Sequence, residues 1–293
     1  MVDQIVVTPE VLAELAPPPI EGTAHKGKRG CVLVVGGTAE TPGAALLAGI
    51  AALRAGAGVL QVATVASVAS QLAVAIPEAR VIALPETSGG DIAGHCGPQL
   101  LEHAARADAI LVGPGLADES ALAELVPALL DGIDGARLVV DAKGLTAITP
   151  QLARGRADRL LLTPNTSEGA QLLGVDVAEV DADARDAHQR LVELYGCVVA
   201  LRGGETWSGA PGGPAYLDTS GSLGLGSSGS GDVLAGFLAG LLARGTAPVA
   251  AAVWAVHVHA QSGRRLGARI GPLGYLAREL LEELASVAAE LSP

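Results

Sequence analysis

The sequence predicts a single α/β domain, with a mainly parallel central sheet flanked by helices on both faces. Three observations carry that prediction. Short β-rich runs alternate with helical runs along most of the chain, the pattern of repeated strand–helix crossovers. The strand candidates are continuously apolar, as strands buried on two faces require. Apolar residues make up 49% of the 293 residues and aromatics only 2%. The core must therefore be built from Ala, Val and Leu, with helices lying close on the sheet.

The strand candidates, in order, are Cys31–Gly36, Val59–Thr64, Arg80–Leu84, Ala109–Gly113, Arg137–Asp141, Arg159–Leu162 and Cys197–Arg202. Helical candidates lie between them at Ala44–Ala55, Pro98–Arg106, Ser120–Leu130, Glu168–Leu173 and Asp183–Tyr195. The pattern changes after Leu201. Thr206–Gly209 and Ala215–Asp218 flank the turn Ala210-Pro-Gly-Gly213 and read as a hairpin. A glycine-rich stretch then leads to helices at Asp232–Ala243, Pro248–Leu266 and Leu273–Leu291. No linker interrupts the chain, so one domain is expected over 1–293, with residues 1–24 as an N-terminal arm and Pro17–Pro19 as a surface crossing.

A formal charge of −12 disfavours nucleic acid and anionic membranes as partners. It leaves phosphate ligands open, because backbone amides at a helix start bind anions without net positive charge. No apolar stretch approaches the roughly 20 residues that span a bilayer. The N-terminus carries acids where a signal peptide has bases. Cys31, Cys96 and Cys197 form no paired pattern and read as core residues of a protein in the reducing cytoplasm.

The chemistry concentrates in Gly221–Gly231. Gly224, Gly226 and Gly229 form a G-x-G-x-x-G, but no acid follows about 20 residues on to grip a ribose, and the dinucleotide reading fails. No P-loop is present. What remains is Gly229-Ser-Gly-Asp232 followed at once by an apolar helix. Glycines let successive N–H groups point into one concavity, and the helix dipole adds partial positive charge there. Asp232 has two readings, a helix cap or a base toward a substrate hydroxyl beside bound phosphate. Several glycines and a run of serines exceed what a cap needs.

Other polar residues carry weaker signals. Asp141 ends a buried strand, where α/β sites collect. Lys143 reads as a loop base able to neutralise phosphate. His257 and His259 stand two apart on a helix, about 200° apart around it, which excludes a shared metal ion. His25 lies in a basic segment, and Trp207 is a candidate either for stacking on adenine or for packing.

In their order and spacing, several segments resemble the ADP-dependent NAD(P)H-hydrate dehydratases of the ribokinase superfamily. They are Thr8-Pro-Glu, His25-Lys-Gly-Lys-Arg-Gly, Gly36-Gly-Thr-Ala-Glu-Thr-Pro-Gly-Ala-Ala45, Ala52-Leu-Arg-Ala-Gly-Ala-Gly58, Gly113-Pro-Gly-Leu116, Thr163-Pro-Asn165 with Glu168, and Gly229-Ser-Gly-Asp-Val-Leu-Ala-Gly236. The resemblance implies a ribokinase-like fold. It also implies ADP- or ATP-dependent dehydration of (6S)-NADHX and (6S)-NADPHX, with a phosphorylated hydrate as intermediate. Ala44, Gly115 and Asn165 would meet the hydrated nicotinamide nucleotide. Arg202, Gly203, Gly204, Glu205 and Thr206 would hold the AMP part, together with Gly229, Ser230 and Gly231 of the turn, and Asp232 would face the hydroxyl. The chain lacks the epimerase domain of some relatives, so action on one epimer is expected, by a homo-oligomer (dimer or tetramer).

The departures matter. The family's Thr-Pro-His-Pro-Gly-Glu is Thr163-Pro-Asn-Thr-Ser-Glu168 here, and Asn does not titrate near neutrality. The change creates Asn-x-x-Glu, similar to the pattern that superfamily kinases use around Mg2+. Asn165 and Glu168 would act through metal-bound water, or Asn165 is simply a helix cap. Asp-Ala-Asp-Ala-Leu becomes Asp141-Ala-Lys-Gly-Leu145, Lys-Gly becomes Arg202-Gly203, and Gly-Asn-Pro-Gly becomes Gly221-Ser-Leu-Gly224. The alternatives are an ATP-dependent alcohol kinase or a nucleotide-binding regulator without turnover.

Overall fold

A computed structural model describes residues 3–19 and 26–292. Among these, one sheet has ten strands in the order β1-β10-β9-β8-β7-β6-β5-β2-β3-β4. The strands are β1 (Gln4–Val6), β2 (Cys31–Val35), β3 (Val59–Val65), β4 (Ala79–Leu84), β5 (Ala109–Val112), β6 (Arg137–Val140), β7 (Leu160–Leu162), β8 (Val198–Leu201), β9 (Thr206–Gly209) and β10 (Ala215–Asp218). All neighbours pair in parallel except β9, which is antiparallel to both β8 and β10. The expected hairpin is therefore present. It carries an extra strand that the sequence reading did not expect, since β1 pairs in parallel with β10.

Alternate residues along the strands enter two different cores. Val32, Val34, Val139 and Leu161 face one, and Leu33, Val35, Val140 and Leu162 face the other. The first core is closed by α2 (Pro42–Arg54), α3 (Ala66–Ala75), α10 (Ser230–Ala243), α11 (Pro248–Arg269) and α12 (Ala277–Leu291). The second is closed by α4 (Gly97–Ala104), α5 (Glu119–Gly132), α7 (Thr166–Leu173) and α9 (Ala184–Tyr195), with short α6 (Pro150–Ala153) and α8 (Val177–Ala182) beside them. This is the two-faced burial that the apolar strands required.

The chain winds from β2 through β3 to β4, then returns to β5 on the other side of β2. The strand order thus reverses between β2 and β5, and α/β folds open a crevice at that point, beyond the carboxyl ends of the strands. A second feature brings the glycine turn to the same end. A Cβ on Gly236 would lie 2.1 Å from the Ala48 carbonyl oxygen, and one on Gly240 would lie 2.5 Å from that of Ala52. Two glycines four apart on α10 meet two alanines four apart on α2. Only that pairing lets the backbones approach so closely, and it sets the two N-termini side by side.

Several expectations shift. The helix after the glycine turn begins at Ser230 and not at Asp232. The last helix begins at Ala277, and residues 271–276 before it are loop. Helix α3, absent from the sequence reading, has no charged residue to outline a polar face. The N-terminal arm is partly structured. α1 (Pro9–Glu14) buries Leu12, whose carbonyl oxygen accepts a hydrogen bond from Trp254 Nε1 at 3.1 Å. His25 and residues 20–24 lie outside the described residues. Cys31, Cys96 and Cys197 are free and buried. Among the described residues, no helix is long and apolar enough to cross a membrane.

Candidate functional site

The glycine turn is built to present bare amides. Gly229 caps α10 at φ +86°, a conformation that side chains disfavour. No side chain caps this helix. Ser230 N–H donates to the Ser227 carbonyl oxygen at 3.2 Å, and Val233 N–H begins the helical ladder on Gly229. The N–H groups of Gly231 and Asp232, between them, have no acceptor among the described residues. Unpaired amides at a helix start attract an anion. Asp232 is thus not the cap: it lies in the first turn, after the cap.

A cavity of about 690 Å³ opens onto this turn. Gly229, Ser230, Gly231, Asp232, Arg202, Gly203, Gly204, Glu205, Thr206, Asn165 and Glu168 all line it. The segment after β8 and the turn before α10 therefore share one space, although they are far apart in sequence.

Arg202 ties the charged end together. Its Nε donates to the Thr163 carbonyl oxygen at 2.9 Å, and its Nη2 donates to Asp141 Oδ1 at 2.9 Å and lies 3.6 Å from Glu168 Oε2. Asp141 also accepts from Thr163 Oγ1 at 2.8 Å and is almost fully buried. A Cβ at position 231 would stand 2.4 Å from Arg202 Nη1, so the guanidinium rests against Gly231 and would have to shift for a larger residue. Ala142, which follows Asp141, is the only non-glycine residue at positive φ (51°) among the described residues. Strained backbone of this kind collects at functional sites.

Three carboxylates share this one guanidinium. Burial, then Asp141 and Glu168, push the Asp232 carboxyl up to about 7 despite Arg202. Burial and Asp141 also raise Glu168 above its usual range, with Arg202 opposing. Asp232 is therefore poised to exchange a proton near neutral pH.

Asn165 and Glu168 form a capping box at the start of α7. Asn165 Oδ1 accepts from Glu168 N at 2.9 Å, and Glu168 Oε2 accepts from Asn165 N at 2.8 Å. The cap reading of Asn165 thus holds in the structure, and both residues line the cavity.

Ala44 and Gly115 lie outside that cavity's lining but against each other, at the point where the strand order reverses. A Cβ on Gly115 would be 2.9 Å from Ala44 Cβ and 2.7 Å from the Thr41 carbonyl oxygen. Thr41 Oγ1 also donates to the Gly115 carbonyl oxygen at 2.7 Å. Leu47, one turn along α2 from Ala44, reaches toward Gly229. The two ends of the candidate site are thus neighbours.

The remaining signals sort plainly. Lys143 pairs with Glu119 at 2.7 Å on the surface, outside that cavity's lining, though its charge still reaches Glu168. Trp207 is buried with Ala215 and Leu217, its Nε1 donating to Glu205, so it packs and does not stack in the cavity. His257 and His259 go to different partners. His257 Nδ1 meets Asp218 Oδ2 at 2.7 Å, and His259 Nε2 meets Ser230 Oγ at 3.0 Å. Burial lowers His259 to about 4, so it sits neutral behind the turn. Sequence reasoning missed Asp218, Ser222, Leu223, Leu225, Val256, His259 and Ala260 as cavity residues. A polar His259 in the apolar run of α11 was the available signal.

The NAD(P)H-hydrate dehydratase family model matches residues 32–286. The chain belongs to that family. It is 44% identical over 264 residues to an ADP-dependent (S)-NAD(P)H-hydrate dehydratase of Xanthomonas campestris pv. campestris, covering 89% of each chain. It also matches bifunctional NAD(P)H-hydrate repair enzymes, of which it spans about half the length. Among solved structures it resembles the ADP/ATP-dependent NAD(P)H-hydrate dehydratase of Bacillus subtilis co-crystallised with ATP and Mg2+. The TM-score is 0.80 and the identity 26%, covering 97% of this chain and 98% of that one. A ribokinase-like superfamily protein of Enterococcus faecalis shares the fold at TM-score 0.82 and 22% identity, covering 99% and 96%.

Proposed function

We infer that this dehydratase-family chain restores hydrated nicotinamide cofactors, the S forms of NADHX and NADPHX, to NADH and NADPH with ADP or ATP as phosphoryl donor. The carrying observation is Asp232. Its carboxyl, raised to about 7, stands in the first turn of a helix whose free amides face a nucleotide-sized cavity. The relatives' dehydratase activity supports the same reading.

In this reading the amides of Gly231 and Asp232 and the Arg202 guanidinium hold the phosphates, and the segment 202–206 holds the AMP part. The hydrate hydroxyl, placed at Ala44 and Gly115, attacks the terminal phosphorus, and Asp232 takes its proton. With ADP, the bond from that phosphorus to the bridging oxygen breaks and AMP leaves. Phosphate then departs from the ring carbon with its bonding pair, a proton leaves the neighbouring carbon, and the ring double bond returns.

Among the described residues, no group of three or more His, Cys, Asp or Glu could cage a metal ion. The donor set instead fits Mg2+ carried largely by nucleotide phosphates and waters, which Glu168 and Asn165 would meet from the cavity wall. That ion would supply charge neutralisation on the transferring phosphoryl group. The capping box weakens the motive for a plain alcohol kinase, because the Asn-x-x-Glu spacing already has a structural use. Buried, unpaired cysteines support a reducing, cytoplasmic setting. Purified protein given hydrated cofactor and ADP should regain the absorbance of the reduced nicotinamide. No recovery with either ADP or ATP rejects the reading.

A further inference from the structure

One buried carboxylate at the site, Asp141, has no part in the reaction as described above. Asp141, Thr163 and Arg202 are the residues that follow β6, β7 and β8, three neighbours in the sheet. Backbone pairing continues past the strands and fixes their places. Asp141 N–H donates to the Val112 carbonyl oxygen at 3.1 Å, Thr163 N–H to that of Val140 at 3.2 Å, and Arg202 N–H to that of Pro164 at 2.8 Å. The side chains then close a ring. Asp141 Oδ1 accepts from Arg202 Nη2 and Thr163 Oγ1, and Arg202 Nε donates to the Thr163 carbonyl oxygen.

Burial decides which carboxylate keeps the cation. The Asp141 side chain is 2% exposed and that of Glu168 25%. A buried carboxylate without a cation is costly, whereas one that borders open space has water. Arg202 accordingly stands 2.9 Å from Asp141 and 3.6 Å from Glu168. Among the described residues it makes no ion pair with Asp232, although its guanidinium rests against Gly231, the residue before it.

No other neighbour competes for Asp232. His259, on α11, is neutral and bonded to Ser230. Leu47 of α2 and Ala277 of α12 face Gly229 without charge. Glu205 and Asp218, also on the cavity wall, have their own partners in Trp207 and in His257 with Ser220. Glu168 is engaged in the capping box, within reach of the Lys143 charge. The position of Arg202 is thus what settles whether a cation sits on Asp232.

We propose that Asp141 is a positioning residue for the reaction: by taking up the Arg202 guanidinium it keeps that cation off Asp232, which stays free to receive the proton of the attacking hydroxyl. The proposal rests on the reading of Asp232 as the base, and goes further by giving the counter-ion of Arg202 a part in turnover.

The test compares Asp141→Asn, which keeps the shape and loses the charge, with Asp141→Glu, which keeps the charge and changes the shape. Turnover is followed across the pH range by recovery of reduced nicotinamide, ADP binding by calorimetry and folding by circular dichroism. Without the Asp141 charge, Arg202 is released toward Asp232, and a carboxylate beside a cation is the weaker base. In Asp141→Asn the acid limb of kcat/KM should therefore move down by about one pH unit, and the plateau kcat should fall about tenfold. ADP affinity should hold or rise, because the site has lost a negative charge. Asp141→Glu should leave the limb where it is in wild type. So should Thr163→Val, which removes one donor to Asp141 and leaves its pair with Arg202. An unmoved limb in Asp141→Asn overturns the proposal, as does an equal shift in Asp141→Glu or Thr163→Val, or a loss that only follows weaker ADP binding. Should Asp141→Asn not fold, Asp141→Glu decides: an unmoved limb supports the proposal and a shifted one overturns it. If wild type has no acid limb, or Asp232→Asn turns over as fast as wild type, the reading of Asp232 itself fails.

Discussion

Two glycine-bearing regions stand side by side in this fold, and they are built on opposite terms. The cleft at Gly229–Asp232 is charged, with unpaired amides and one guanidinium, which Asp141, Glu168 and Asp232 share, around open space. The contact of Ala44 with Gly115 is neutral and close-packed, with Thr41 Oγ1 donating to the Gly115 carbonyl oxygen and Thr38 Oγ1 within 2.8 Å of Thr41 Oγ1. Glycine serves a different purpose in each. In the first it exposes amides and makes room for Arg202. In the second it lets a loop press against the start of α2. In the reading proposed above, the nucleotide phosphates would lie at the first and the hydrated nicotinamide ring at the second.

That contrast breaks if paired glycine variants behave alike. Gly231→Ala drives a methyl into the Arg202 guanidinium, so KM for the nucleotide should rise by about tenfold to a hundredfold while KM for the hydrate holds. Gly115→Ala should do the reverse. Its methyl meets backbone at 2.7 Å and a φ of +69°, so it should also cost about 1–3 kcal/mol of stability. Steady-state kinetics with each substrate varied in turn will show whether the two losses separate.

A second prediction sharpens the electrostatic half. With Asp232 at about 7, the base is protonated in acid, so kcat/KM should climb from pH 5 and level off above about pH 8. Stability runs the other way. A carboxyl raised in the folded state from 3.8 favours folding fully only below its unfolded value, and the benefit is lost as pH rises toward 7. Asp232→Asn should match wild type in melting near pH 4 and become more stable by about 2 kcal/mol at pH 8. The gain is reduced because the group borders open solvent. The smallest effect is expected at Lys143→Ala. Its pair with Glu119 joins two half-exposed side chains on the surface, so stability should move by less than about 0.5 kcal/mol and turnover by less than twofold.

How much of this was legible in the sequence depended on the physics of each element. Buried parallel strands announce themselves as apolar runs, and β2 through β10 fall within a residue or two of the runs that predicted them. β1 is only three residues long, with a mostly exposed pattern, and its reason to exist is an edge of β10 that the sequence does not reveal. Helix α3 hid because Ala, Val and Ser around it mark no polar face. The glycine turn was legible as a feature because a run of glycines and serines before an apolar helix exceeds what a cap needs, and the structure shows its bare amides facing a cavity. The part that α11 plays in the cavity was not, since Val256 and Ala260 look like any buried helix face. Asn165-x-x-Glu168 could be read in two ways, and the reciprocal hydrogen bonds of the capping box decided its structural role.

The central claim is that free amides seat the nucleotide and that Asp232 takes the proton of the attacking hydroxyl. The direct test is phosphate release from ADP in the presence of hydrated cofactor, wild type beside Asp232→Asn, with ADP binding measured on both. The account predicts that the variant binds ADP at least as well as wild type and releases phosphate about a thousandfold more slowly. A variant that turns over at the wild-type rate, or one that fails because it no longer binds ADP, contradicts it.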